Sequence, residues 1–231
     1  MLRTAFLSGI LLMSAPVGFA QNVPSSPVEL DHIILAINDL QLGIQDFTRR
    51  TGVKPELGGE HRGRGTHNAL VSLADQRYLE IVAPISAHPD STLANFVQMK
   101  ELTPFHWVLR TRDMRSLVAL LRAKGFPVSD PKPGSRVRPD GTVLSWQLAR
   151  LEDSTLRVAP FFIEWSPSSP HASTSAPGGC QLSDLHLVER RAERLSLLLN
   201  TLGFRAHVDS GPQSRMSVSL RCAQRTVSFG Q

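Results

Sequence analysis

FHWVLRTRDM, residues 105–114, restates DHIILAINDL, residues 31–40. Each places a His at the head of an apolar run and an Asp seven residues later: His32 to Asp39, and His106 to Asp113. Leu30 to Ile37 is apolar and rich in Ile, which predicts a strand. Asp39 then suits a helix N-cap, Leu40, Ile44 and Phe47 come next at helical spacing, and Gly52 ends the helix. In the second stretch His106 to Arg110 reads as the strand, Asp113 as the cap, and Gly125 as the stop. From His to the closing Gly is 20 residues in the first copy and 19 in the second. That agreement predicts one structural unit used twice.

The segments after each helix also repeat. KPELGGEHRGRGTHN, residues 54–68, reads as a Gly-rich polar loop, with ALVSL and RYLEIVAP after it as strands joined by a tight turn at ADQ. The second copy has the loop SDPKPGSRVRPDG, then TVLSWQLAR and LRVAPFFIEW as strands. A third, weaker copy starts near Leu182, with LSDLHLV as a strand, ERLSLLLNTLGF as a helix, and three alternating segments to the end. There Asp184 stands where the others have His, and Ser228 lies near the place of a carboxylate. The Pro/Ser/Gly-rich stretch before it reads as a linker. The fold class expected is α+β: repeated βαβββ units, with a third degenerate unit. Its boundaries are residues 29–104, 105–166, a linker at 167–181, and 182–231.

The chain has 231 residues, 41% apolar and 19% charged, with a net charge of +5. This is ordinary globular composition. The Lys and Arg residues form no dense cluster with interleaved aromatics, which argues against a nucleic-acid partner. Residues 1–20 carry a positive start, a short apolar run and Gly18-Phe19-Ala20, a pattern of export signals cleaved after Ala20. That implies a periplasmic or secreted protein with a short leader at 21–28 and no stable membrane span after cleavage; a retained anchor is the other reading. Cys180 and Cys222 either pair, as an exported protein permits, or stay as buried thiols.

Each full copy also carries one Glu inside an apolar final strand: Glu80 in YLEIV and Glu164 in FFIEW. A lone ionised carboxylate among such neighbours is costly unless paired or bound to a metal. If first and last strands are neighbours and the two copies face each other, His32, Glu80, His106 and Glu164 converge. Two imidazoles and two carboxylates suit a divalent transition metal. Singly, each residue also reads as a satisfied core His or a solvent-facing Glu. In the loop, His61, Arg62, Arg64, Thr66 and Asn68 offer donors for a small anionic substrate, with Arg138 in the matching loop of the second copy. Trp107, Trp146 and Trp165 read as core packing, Trp165 on the face of its strand opposite Glu164.

LDHIILAI, GGEHRGRGTHNALV, YLEIVAP, FHWVLRT and FFIEW, in that order over residues 29–228, resemble the glyoxalase-like domain of the vicinal oxygen chelate superfamily. The resemblance implies paired βαβββ units forming curved mixed sheets around a cleft, and metal ligands on the first and last strand of each, here His32, Glu80, His106 and Glu164. It implies a divalent ion (Ni, Co, Zn, Mn or Fe(II)) and a small-molecule substrate, and leaves a homodimer open. Three functions compete. One is a metal-dependent lyase or isomerase in which Glu80 or Glu164 moves a proton. Another is an extradiol-type Fe(II) dioxygenase using His32, His106 and Glu164. The third is a non-catalytic protein that binds or sequesters a small molecule.

Overall fold

The capping residues of both helices act as their positions predict. Asp39 accepts a hydrogen bond from the Leu42 backbone N–H and Asp113 from that of Ser116, each at 2.9 Å. Gly52 closes the first helix at φ 78°, a left-handed conformation that glycine adopts without strain.

The computed structural model describes residues 27–61, 63–86, 93–223 and 225–230. The first repeat runs β1 (Glu29–Ala36), α1 (Leu40–Thr51), β2 (Glu56–His61), β3 (Thr66–Ser72) and β4 (Tyr78–Pro84). The second runs β5 (Thr103–Arg110), α2 (Met114–Ala123), β6 (Lys132–Val137), β7 (Val143–Arg150) and β8 (Phe161–Trp165). First and last strands do pair in each repeat, parallel: β1 with β4 and β5 with β8. The two repeats face each other within one chain, through antiparallel pairing of β1 with β5 and a single closing pair, Glu60 with Val137, between β2 and β6. The expected cleft is therefore a closed eight-stranded barrel in the order β1-β4-β3-β2-β6-β7-β8-β5. Barrels of this strand number hold side chains or one small ligand.

Two segments expected to be loops are in part strands. The Gly-rich stretch before Asn68 supplies β2 and the start of β3, and SDPKPGSRVRPDG supplies β6. Neither shows the apolar alternation that announces a half-buried strand. Their pairing comes from the closure of the barrel, and at Gly58 the space is so tight that a Cβ would overlap side-chain atoms of both Arg136 and Asn68.

The apolar side chains of the barrel point outward. Ile33, Leu35, Leu79, Ile81, Trp107, Leu109 and Phe162 are all at most 1% exposed. They pack under Ile44 and Phe47 of α1 and under Met114, Leu117 and Leu121 of α2 in one continuous core. The third unit extends that core on the barrel's outer side. It comprises β9 (Cys180–Glu189), α3 (Ala192–Thr201), β10 (His207–Ser210), β11 (Arg215–Cys222) and β12 (Arg225–Phe229). Its strand order, β10-β9-β11-β12, departs from the repeats, because β9 pairs with β10 and β11 and not with the last strand. Phe229 of β12 lies against Phe47 of α1, with the Arg50 guanidinium 4.1 Å from its ring centre. Cys180 and Cys222 face each other across β9 and β11 and form a disulfide. The export signal and most of the leader fall outside the described residues. Among the described residues no helix is long and apolar enough to cross a membrane.

Candidate active site

With the apolar faces turned outward, the barrel's interior receives the polar residues. Strand side chains alternate, so one parity on each strand lines the interior. From β1 this brings in His32 and Ile34, from β4 Tyr78 and Glu80, and from β2 and β3 His61 and Thr66. The second repeat contributes His106, Arg136, Trp146, Phe161, Ile163 and Trp165. They enclose a cavity of about 370 Å³.

The polar cluster centres on Glu80, which is 6% exposed. Its Oε1 accepts a hydrogen bond from Asn68 Nδ2 and lies 3.4 Å from His61 Nε2. Its Oε2 lies 3.6 Å from His32 Nε2. Burial alone would raise the Glu80 pKa; the charges of His61, His32 and Arg136 and the Asn68 hydrogen bond outweigh it and hold the carboxyl below its usual value. His61 is fixed on its other side, with Nδ1 3.0 Å from the Thr66 hydroxyl. Its own pKa is lowered, chiefly by burial, with Glu80 opposing.

Behind His32 stands a residue that no sequence pattern marks. Asp31 is fully buried, and its Oδ1 lies 2.6 Å from His32 Nδ1. Its Oδ2 accepts from the Trp165 indole N–H at 2.9 Å and from His171 Nε2 at 3.0 Å. Burial would raise this carboxyl; the hydrogen bonds from His171 and His32, with their charges, hold it far below the usual carboxylate range. An ionised carboxylate is acceptor-only, so the His32 proton sits on Nδ1 and Nε2 faces Glu80. The His32 ring is stacked on Tyr78, centroids 4.4 Å apart. Burial above all, then the charges of Asp31 and Glu80, push the Tyr78 hydroxyl well above its ordinary pKa.

Asp31 reaches this position through a β-bulge. The β1–β5 register shifts between Leu30 and His32, which leaves Asp31 as the extra residue. Bulges re-aim side chains in this way beside functional sites. Strict alternation, the only signal in the sequence, would send Asp31 to the opposite face. His171 comes from the linker, 140 residues away in sequence, and no local pattern marks it.

The four-residue set expected from the two repeats does not assemble. Glu164 points out of the barrel, where its Oε2 accepts from the Met114 backbone N–H at 3.0 Å. Glu80 pairs in register with Ile34, two residues past His32, and the corresponding position past His106 is Val108, which pairs with Phe161. Phe161 therefore holds the place of Glu80. Glu164 is three residues further on, an odd step that turns it outward. Trp165 is corrected by the same parity: it lines the cavity.

His106 does face the cavity, but its ring packs against Phe105 and Phe161, each 4.3 Å away. Burial pushes its pKa down to about 4. With an unfolded value near 6.5, the unfolded chain binds the extra proton between those values, so stability falls as pH drops from about 6.5 to 4. That loss amounts to about 3 kcal/mol. Chemical denaturation at pH 7 and pH 4 is expected to show His106→Leu losing that much less than the wild type. An equal loss would contradict the assignment.

Among the other predicted substrate contacts, Arg64 sits exposed at the cavity rim. Arg138 lies in the β6–β7 turn, 3.5 Å from Asp140, and does not line the cavity. Arg62 lies outside the described residues. Arg136, two residues before Arg138, is the buried cation among the three arginines that line the cavity, at 3% exposed. On the third unit, His186, His207 and Asp209 form the one group, among the described residues, of three metal-type donors all within 4.8 Å of one another. His32, His61 and Glu80 are spread more widely than that.

Residues 30–203 match a family model described as a glyoxalase-like domain. No curated protein matches the chain. A hypothetical protein from Staphylococcus aureus superposes with a TM-score of 0.65 at 17% identity, covering 86% of this chain and 92% of its own. Methylmalonyl-CoA epimerase from Mycobacterium tuberculosis gives a TM-score of 0.47 at 19% identity, over 64% of this chain and 95% of its own.

Proposed function

Because the chain belongs to the glyoxalase-like domain family of the vicinal oxygen chelate superfamily, we propose that it is a metal-dependent lyase or isomerase that moves a proton on a small oxygenated molecule inside the barrel. The observation that carries this reading is the row Asp31–His32–Glu80: a buried ionised carboxylate, an imidazole oriented by it, and a second carboxylate 3.6 Å from that imidazole on the neighbouring strand.

Members of this superfamily commonly bind divalent metals. The donor chemistry here fits such an ion with a revised set: His32 Nε2, His61 Nε2 and Glu80, all from the first repeat. Asp31 behind His32 is the outer-shell carboxylate that ligating imidazoles ordinarily have. When bound, the ion would polarise adjacent oxygens of the substrate as a Lewis acid.

The chain's own residues supply the rest. Among the cavity-lining residues Glu80 is the one carboxylate, so it is the proton carrier. Asn68 engages Oε1, leaving Oε2 as the oxygen that takes and returns the proton. In the neutral imidazole, Asp31 fixes the proton on Nδ1 and so turns the lone pair of His32 Nε2 toward Glu80. Tyr78, stacked on the His32 ring, excludes water from that face of the His–Glu row, which strengthens the charge interactions within it. The disulfide supports an exported protein, since such bonds persist in oxidising compartments.

The test is hydrogen exchange in D2O, followed by proton NMR, with protein reconstituted in turn with Ni, Co, Zn and Mn. The panel is 2-oxoaldehydes, 2-hydroxyketones and 2-hydroxyacids. At least one compound is expected to exchange its C–H in the wild type, and His32→Ala is expected to slow that by about 100-fold or more. No exchange with any member, or full exchange by His32→Ala, would contradict the reading.

A further inference from the structure

Across the cavity from His32, Arg136 presents a buried cation with no anion to bind. Its Nε and Nη1 are buried and have no hydrogen-bond partner. Among the described residues no carboxylate lies within ion-pair distance of it; the nearest influence is the charge it exerts on Glu80, His61 and Tyr78. Beside it the Trp146 indole N–H is also buried without an acceptor. Both side chains are seated over glycines. A Cβ at Gly58 would overlap Arg136 Nη1, and one at Gly134 would lie 2.5 Å from Trp146 Nε1.

A desolvated guanidinium without an anionic partner is strongly unfavourable, and an orphaned indole N–H adds to the cost. Native interiors rarely keep such groups unless something binds them. The cavity wall also carries a group of aromatic side chains, Phe96, Phe105 and Phe161. The neutral His106 ring belongs to the same wall.

We propose that the substrate of this site is a small carboxylate with an apolar, preferably aromatic body, its carboxylate received by Arg136 and Trp146. This rests on the cavity being the functional site, and it goes beyond that reading by naming the substrate class and the residues that select it. Arg136, inside the barrel, takes the anion-gripping role for which Arg62, Arg64 and Arg138 were the sequence candidates.

Binding is read without turnover, through the fluorescence of the cavity tryptophans, using phenylacetate and its uncharged analogue phenylacetamide. Phenylacetate is expected to bind the wild type, and phenylacetamide to bind more weakly by about tenfold or more. Arg136→Gln should lose at least that factor for phenylacetate and little for the amide. Arg138→Gln should change neither. Trp146→Phe, which removes the indole N–H together with one ring of the side chain, covers the case in which Arg136→Gln fails to fold, and should weaken phenylacetate several-fold more than it weakens phenylacetamide. Independently, Arg136→Met relieves a buried unpaired cation, so without ligand its melting temperature should rise by about 3 °C or more. Equal binding of acid and amide, no phenylacetate binding up to about 10 mM, unchanged affinity in Arg136→Gln or Trp146→Phe, or a lower melting temperature in Arg136→Met would each overturn the proposal. None of these outcomes depends on proton exchange, so the proton-transfer reading stands or falls separately.

Discussion

Glu80→Gln is expected to lower the rate of substrate proton exchange by about 1000-fold while the barrel stays folded. The substitution keeps the shape of the side chain, and the new carbonyl can still accept from Asn68. What it removes is the one basic oxygen that faces His32 across 3.6 Å. Glu164→Gln is the informative control. Its carboxylate receives the Met114 N–H outside the barrel, so it should leave exchange unchanged and cost at most about 1 kcal/mol of stability through the weakened contact at the start of α2. If Glu164→Gln abolished exchange and Glu80→Gln did not, the assignment of roles between the two would be reversed. Metal content is best compared in a His207→Ala background, because His186, His207 and Asp209 form a surface group able to take an ion of their own.

Removing the Cys180–Cys222 bond is the change with the largest expected effect on stability. The bond closes 42 residues of chain, for which the chain-entropy relation gives about 4 kcal/mol. It ties the ends of β9 and β11 in the third unit, whose apolar face continues the core built by α1 and α2. Unfolding should therefore be cooperative with the barrel. Denaturant unfolding of Cys180→Ala/Cys222→Val is expected to show the loss in a single transition, and alkylation of the native wild type should find no free thiol. A loss under about 1 kcal/mol would mean that the third unit is held by its packing alone.

Much of the architecture is legible because it rests on local rules. Asp39 and Asp113 cap helices wherever they stand before an apolar stripe, so the duplicated His-strand-Asp-helix pattern announces both repeats. The pairing of first with last strands, a condition in the sequence, is met in both repeats and brings His32 to Glu80. The rest depends on information that no local window holds. β2 and β6 are polar and Gly-bearing, and become strands only because the barrel must close. Phe161 and Glu164 are both on the final strand of the second repeat, and one residue of parity decides which of them enters the cavity. Asp31 needs a bulge to reach His32, and His171 arrives from the linker. Arg136 stands only two residues from Arg138, but the end of β6 separates a residue held inside the barrel from one in the turn.

The central claim is that Asp31 holds the proton of His32 on Nδ1, leaving Nε2 bare toward Glu80. Nitrogen-15 NMR of the imidazole rings in metal-free protein at about pH 8, above the ordinary His range, tests it directly. The predicted result is a pyrrole-type, proton-bearing Nδ1 and a pyridine-type Nε2 for His32, with the pattern lost in Asp31→Ala. A His32 whose proton resides on Nε2 would contradict the account.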